Sequence, residues 1–221
     1  MRTLVIGDIH GCYDELRELL DRAALTADDR VVAVGDLVVK GEKNREVLDL
    51  FMSDPRFSSV QGNHDRALAL RWLAEQRGEK LKVKGSQKRC YKELKKADPK
   101  YLDYLTTLPA TIDLGDDLIV HAGLRPGVPL AEQAVEDLTE LRTLGKKSPA
   151  SKKGTPWYKL YEGDRRVLFG HWPSPFPRQG PKALGLDTGC VYGFHLTGYI
   201  VESDELIRVC ARRAYDADDA E

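Results

Sequence analysis

At 221 residues, with 34 basic and 35 acidic side chains and a formal charge of −1, the chain can bury a core within one domain and has no global field drawing it onto nucleic acid or membrane. No apolar run is long enough to span a bilayer, and the N-terminus enters a strand without a basic and apolar export segment, so a cytoplasmic protein is expected. Cys12, Cys90, Cys190 and Cys210 show neither C-x-x-C spacing nor the density of a disulfide scaffold, which predicts reduced thiols.

The run Thr3-Leu4-Val5-Ile6 predicts a strand over 3–7, and Leu16, Leu19, Leu20 and Ala23 recur at helical spacing within a helix over 13–24. A strand at 30–35, a helix at 43–52, a strand at 57–61 and a helix at 65–77 continue the alternation, which predicts a largely parallel sheet. Residues 88–107 read as helical, and DDLIVHAG reads as a strand ending at His121. The later segments RRVLFGHW, ALGLDTG, FHLTGYIVE and ELIRVCARR are short and turn-separated, with a hairpin tip at Ser203-Asp204. They predict a second, mixed or antiparallel sheet packed on the first. Residues 144–156 are loop-like, no internal repeat is visible, and a single α/β domain over 1–215 is expected with an acidic tail at 216–221.

Chemistry-bearing residues fall at the ends of these strands. Asp8 and His10 follow the first, Asp36 follows Gly35, Asn63 stands in GNHD, His121 in HAG and His171 in GHW. Ligands bind at the carboxyl ends of strands in open α/β sheets, so these residues can meet on one rim. A mixed oxygen and imidazole set suits manganese, iron, zinc or cobalt better than calcium or magnesium. Six such ligands are too many for one open site and right for two divalent metals. A lone aspartate after a strand is usually a cap or turn residue, but three histidines each beside glycine at a strand end argue for a centre.

The ordered set G-D-x-H-G, G-D-x-V, G-N-H-D, H-A-G and G-H resembles the calcineurin-like metallophosphoesterases, in the branch that contains the phosphoprotein phosphatases. GNHD, FGHW and LDTGCVYG are more similar to the symmetrical diadenosine tetraphosphatases and the ApaH-like phosphatases than to the eukaryotic protein phosphatases. The resemblance implies two packed mixed β-sheets flanked by helices (αββα), with a dimetal site at strand C-terminal ends. It assigns Asp8 and His10 to the first metal, Asp36 to the bridge, and Asn63, His121 and His171 to the second metal, with manganese foremost. His64 becomes the general acid, oriented by Asp65, since a carboxylate on one ring nitrogen keeps the other protonated. The second motif, GDLVVKG, departs from the commoner G-D-x-V-D-R-G: Val39 replaces the second aspartate and Lys40 the arginine, and Glu42 stands where the ApaH-like phosphatases have proline. Lys40 and Arg142 are then expected to bind phosphate, and Arg125 is a weaker candidate for that work.

The implied reaction is hydrolysis of diadenosine tetraphosphate, or another dinucleoside polyphosphate, into nucleoside diphosphates by a hydroxide bridging the metals. The same centre could act on a phosphoprotein, and a metal-free binding scaffold is a remote third reading. No stable nucleic-acid partner and no membrane partner is expected. His195 reads as a packed strand residue and Asp187 as a supporting one, while Trp172 either stacks on a base or fills the cleft wall. The basic stretches 80–96 and 146–153 either concentrate polyanions at the cleft or form solvated faces.

Overall fold

A computed structural model describes residues 1–216. The first half is β1 (Thr3–Ile6), α1 (Tyr13–Ala23), β2 (Arg30–Ala33), α2 (Asn44–Ser53), β3 (Phe57–Ser59) and α3 (Asn63–Gln76), then α4 (Gly85–Ala97) and α5 (Lys100–Thr107). The second half is β4 (Thr111–Asp113), β5 (Asp117–Val120), α6 (Val135–Glu140), β6 (Thr143–Leu144), β7 (Thr155–Pro156), β8 (Arg166–Phe169), β9 (Arg178–Gly180), β10 (Ala183–Gly185), β11 (His195–Ile200) and β12 (Glu205–Cys210). The tail expected at 216–221 lies, from residue 217 onward, outside the described residues.

Two five-stranded mixed sheets carry the fold, in the orders β12-β11-β1-β2-β3 and β4-β5-β8-β10-β9. β1, β2 and β3 run parallel, as do β5, β8 and β10. Alternation along each strand builds three layers of core, because successive side chains point to opposite faces. Val5, Val32, Ile119, Leu168 and Tyr199 meet between the sheets. Leu4, Ile6, Val31 and Ala33 face the other way, into a cluster with apolar residues of α1 to α5. On the far side of the second sheet, Leu118, Val120, Val167 and Phe169 pack with Trp157, Leu138 and Leu141.

Three expectations change. β11 and β12 belong to the first sheet: β11 pairs antiparallel with β1, Leu4 opposite Ile200. Flanked by β1 and β12, β11 is buried along five of its six residues, while the exposed β12 forms the edge. The single helix expected over 88–107 is two, because Asp98 adopts an extended conformation before Pro99, as steric clash with a proline ring demands. Finally, the loop at 144–156 is framed by the two-stranded pairing of β6 with β7.

Candidate active site

The parallel arrangement brings the residues that follow β1, β2, β3, β5 and β8 to one end of the two sheets. The connections there are strained and cross-bonded. His10, Asp36 and His171 have φ of 49°, 50° and 67°, left-handed values that a side chain adopts only where surrounding structure enforces them. That enforcement is visible: the amides of Ile9 and His10 donate to Asp36 O, and that of Gly11 to Leu37 O. A Cβ at Gly170 would collide with Asp8 Oδ1, and one at Gly62 with Asp36. Close packing of backbone against carboxylate therefore requires glycine at both positions.

Each of three imidazoles is anchored through one nitrogen to a main-chain carbonyl. His10 Nδ1 lies 3.1 Å from Val38 O, His121 Nδ1 2.8 Å from Val34 O, and His171 Nε2 3.1 Å from Glu140 O. Such bonds fix the tautomer and aim the second nitrogen. His10 Nε2 and His121 Nε2 then lie 3.5 and 3.4 Å from Asp36 Oδ2. Asn63 Oδ1 lies 3.0 Å from His121 Nε2 and 2.9 Å from His171 Nδ1. Asp8 accepts from the His171 amide at 3.1 Å. All six expected ligands thus form one cluster, and Asp36 is shared by two metal-sized groups, Asp8-Asp36-His121 and His10-Asp36-His64.

Electrostatics fit the same set to divalent cations. Burial raises Asp36 to about 7 and pushes Asp8 well above the carboxylate range, with the charges of Asp187 and Asp36 adding to the rise at Asp8. Burial likewise drives His10 and His171 down and brings His121 to about 4, which leaves neutral imidazoles suited to ligation. Donor spacings near 3 Å are roughly what two atoms about 2.1 Å from a common ion subtend at a right angle. The residues present fit divalent metals, and Asp36 is common to both groups of donors.

The raised Asp36 sets a testable pH dependence. Below pH 7 its proton must be displaced by an incoming cation, so manganese affinity of the metal-free protein should fall at least about tenfold per pH unit below that point, the raised Asp8 adding to the loss wherever it too is protonated. The imidazoles are already neutral in that range and add nothing to the slope. Titration with manganese at pH 5.5, 6.5 and 7.5 checks this, and a pH-independent affinity would contradict it.

The cluster opens on a cavity of about 330 Å³, whose walls include Lys40, His64, Arg142, Lys152, Trp172, Asp187 and Tyr192. Lys40 donates to the Tyr192 hydroxyl and lies over its ring, 4.8 Å from the centroid. Burial works to lower the Lys40 pKa, but Tyr192, Asp36 and Asp187 outweigh it and the ammonium is retained. Arg142 donates to Ala150 O and His171 O, and its buried Nε has no hydrogen-bond partner among the described residues. Of the basic stretch 146–153, Lys152 reaches this wall. Of the stretch 80–96, Lys80, Lys82, Lys92, Lys95 and Lys96 line a separate groove between α3 and α4, with Arg71 on its wall.

Three residues stand elsewhere than the sequence suggests. Arg125 is not brought to the cavity: its guanidinium makes a two-point pair with Asp137 at 2.5 and 2.7 Å. Asp65 does not orient His64. Its oxygens accept the amides of Leu37 and Gly62, which ties the Asp36 loop to the start of α3, while His64 Nδ1 is met by Gln87 instead. Asp187 is not merely supporting; it lines the cavity, and burial raises its pKa. The His64 ring is neutral, held to about 3 by burial first and then by the charges of Lys40, His121 and Arg142. Tyr192 was missed although it sits inside the quoted LDTGCVYG. His195 lies away from the site, its Nδ1 2.9 Å from an Arg208 nitrogen.

Known proteins align with this chain along nearly its whole length. The family model of the calcineurin-like phosphoesterases matches residues 1–201. A symmetrical bis(5'-nucleosyl)-tetraphosphatase of Dechloromonas aromatica strain RCB is 30% identical, covering 95% of this chain and 96% of its own. The asymmetrical bis(5'-nucleosyl)-tetraphosphatase PrpE of Bacillus subtilis strain 168 is 28% identical, covering 96% of each. A solved structure described as a candidate diadenosine tetraphosphatase superposes with a TM-score of 0.83 at 29% identity, over 95% of this chain and 93% of its own. The motifs at the strand ends, the two mixed sheets and these matches agree: the chain belongs to the calcineurin-like phosphoesterase family and is a hydrolase.

Proposed function

We propose that this hydrolase cleaves dinucleoside tetraphosphates at the central phosphoanhydride, giving two nucleoside diphosphates. The observation that carries the reading is that Lys40, Arg142 and Lys152 share one cavity with Asp8, His10, Asp36, Asn63 and His171. Several cations around a single reaction centre suit a chain of phosphates better than one isolated phosphoryl group. Trp172 and Tyr192 add aromatic surface beside them, on which a base can stack.

Asp8, His10 and Asp36 would hold one divalent ion, and Asp36, Asn63, His121 and His171 the other; manganese is the reading favoured by this mixed donor set. Bound there, two such ions supply Lewis-acid polarisation of the phosphate and an activated water. The chain's own groups do the rest. Lys40 and Arg142 neutralise the non-bridging oxygens, and His64 hydrogen-bonds the departing oxygen.

The test is product analysis with manganese-loaded protein given diadenosine tetraphosphate or a phosphopeptide at equal concentration. ADP as the sole nucleotide product, formed much faster than phosphate from the peptide, is the expected result. ATP with AMP would move the attack to an outer phosphorus, and faster release from the peptide would make the protein a phosphoprotein phosphatase.

A further inference from the structure

The His64 ring is held by a side chain from another element. Its Nδ1 lies 3.2 Å from Nε2 of Gln87, in the first turn of α4. The rest of that helix explains why Gln87 arrives there: Cys90, Tyr91 and Leu94 are buried in the core beside α3, which fixes the helix against the start of the His64 segment. Asp65, the carboxylate expected at this nitrogen, is engaged by main-chain amides instead.

An amide nitrogen can only donate. When it donates to Nδ1 it occupies the ring lone pair there, and the single imidazole proton stays on Nε2. A carboxylate in the same place would instead accept from Nδ1–H and favour an imidazolium able to hand a full proton to a basic leaving group. His64 lines the cavity, and its ring meets that of His10 edge to face at 5.2 Å, so the nitrogen opposite Gln87 is the one available to the reaction.

We propose that Gln87 is a positioning residue, donating to His64 Nδ1 so that Nε2–H hydrogen-bonds the departing oxygen, and that this amide suits the site to phosphoanhydrides. The inference rests on the reading that His64 faces the leaving group. Water adds across the P–O–P bridge: its oxygen bonds to phosphorus, the bridging oxygen leaves with the electron pair as part of a diphosphate anion, and the released proton passes to solvent. Such an anion departs with a hydrogen bond alone, whereas the alkoxide of a phosphoserine needs a proton.

The test measures kcat and KM on 4-nitrophenyl phosphate and on phenyl phosphate, whose leaving group is more basic. The proteins are wild type, Gln87→Leu, Gln87→Glu, His64→Ala and the Gln87→Leu/His64→Ala double variant, each with metal content measured. Loss of one positioning hydrogen bond should lower the Gln87→Leu kcat on phenyl phosphate about tenfold, with KM unchanged. The double variant should be no slower than His64→Ala. Gln87→Glu should restore the bond in the opposite sense and raise turnover of phenyl phosphate relative to 4-nitrophenyl phosphate. Wild-type kcat in Gln87→Leu while His64→Ala is slow would overturn the proposal and leave the His64 reading intact, as would an equal loss in the His64→Ala background. Wild-type kcat in His64→Ala would overturn the His64 reading itself.

Discussion

Asp36→Asn should bind less than two equivalents of manganese and lose roughly a thousandfold or more in turnover, since Lewis-acid stabilisation is worth several kcal/mol and each factor of ten costs about 1.4 kcal/mol. The argument is positional. Asp36 Oδ2 lies within 3.5 Å of both His10 Nε2 and His121 Nε2, and Oδ1 accepts the His64 amide at 2.9 Å. Asparagine keeps the shape and one acceptor oxygen but brings no negative charge between two cations. The same substitution should stabilise the metal-free protein. Burial raises the Asp36 pKa from 3.8 to about 7, so the metal-free wild type loses stability as pH rises from the first value to the second. The Asn variant lacks the Asp36 share of that loss and keeps those of Asp8 and Asp187. Its melting temperature without metal should exceed that of wild type at pH 8, and the gap should close below pH 4. Two bound equivalents with near-wild-type turnover would refute the bridging assignment.

The legible part of this molecule is the part encoded locally. β1, β2, β5 and β8 each announce themselves as short apolar runs, and the glycine, aspartate, asparagine and histidine residues after them and after β3 mark where the chain must turn tightly. Their convergence is legible too, because parallel strands place their C-terminal ends on the same rim. What the sequence does not carry is pairing between distant segments. β11 joins β1 across almost the whole chain, and no local pattern distinguishes that from a place in the second sheet. Side-chain partners are hidden for the same reason. Arg125 stands two residues after HAG, but Asp137 on α6 captures it. Gln87 is one polar residue in a basic amphipathic helix, and only the packing of that helix brings it to His64. The Asp65 expectation failed because a carboxylate three residues into a helix turn meets main-chain amides before it meets a neighbouring side chain.

His64→Ala separates the acid or hydrogen-bond donor from the metals. The ring stands with His10 and Asp36 at metal-binding spacing but outside the expected ligand set, so its removal should leave metal content at the wild-type value, and a loss of metal would make it a ligand. Turnover of phenyl phosphate should fall roughly a hundredfold, the low end of the 10²–10⁴ range for positioned proton donors. The low end applies because the ring is neutral: burial, followed by the charges of Lys40, His121 and Arg142, holds its pKa near 3. A neutral imidazole stabilises developing charge through Nε2–H, as a polarising donor, without delivering a proton in full. Two consequences follow from the sign of that shift. The ratio of wild-type to variant turnover should be constant from pH 5 to pH 8, since the group does not change charge there. The loss should also shrink to about tenfold on 4-nitrophenyl phosphate, whose oxygen carries negative charge readily and gains about one hydrogen bond from the ring. A ratio that collapses above pH 7 would instead identify an imidazolium, and with it a proton-transfer step suited to alkoxide leaving groups and phosphoprotein substrates.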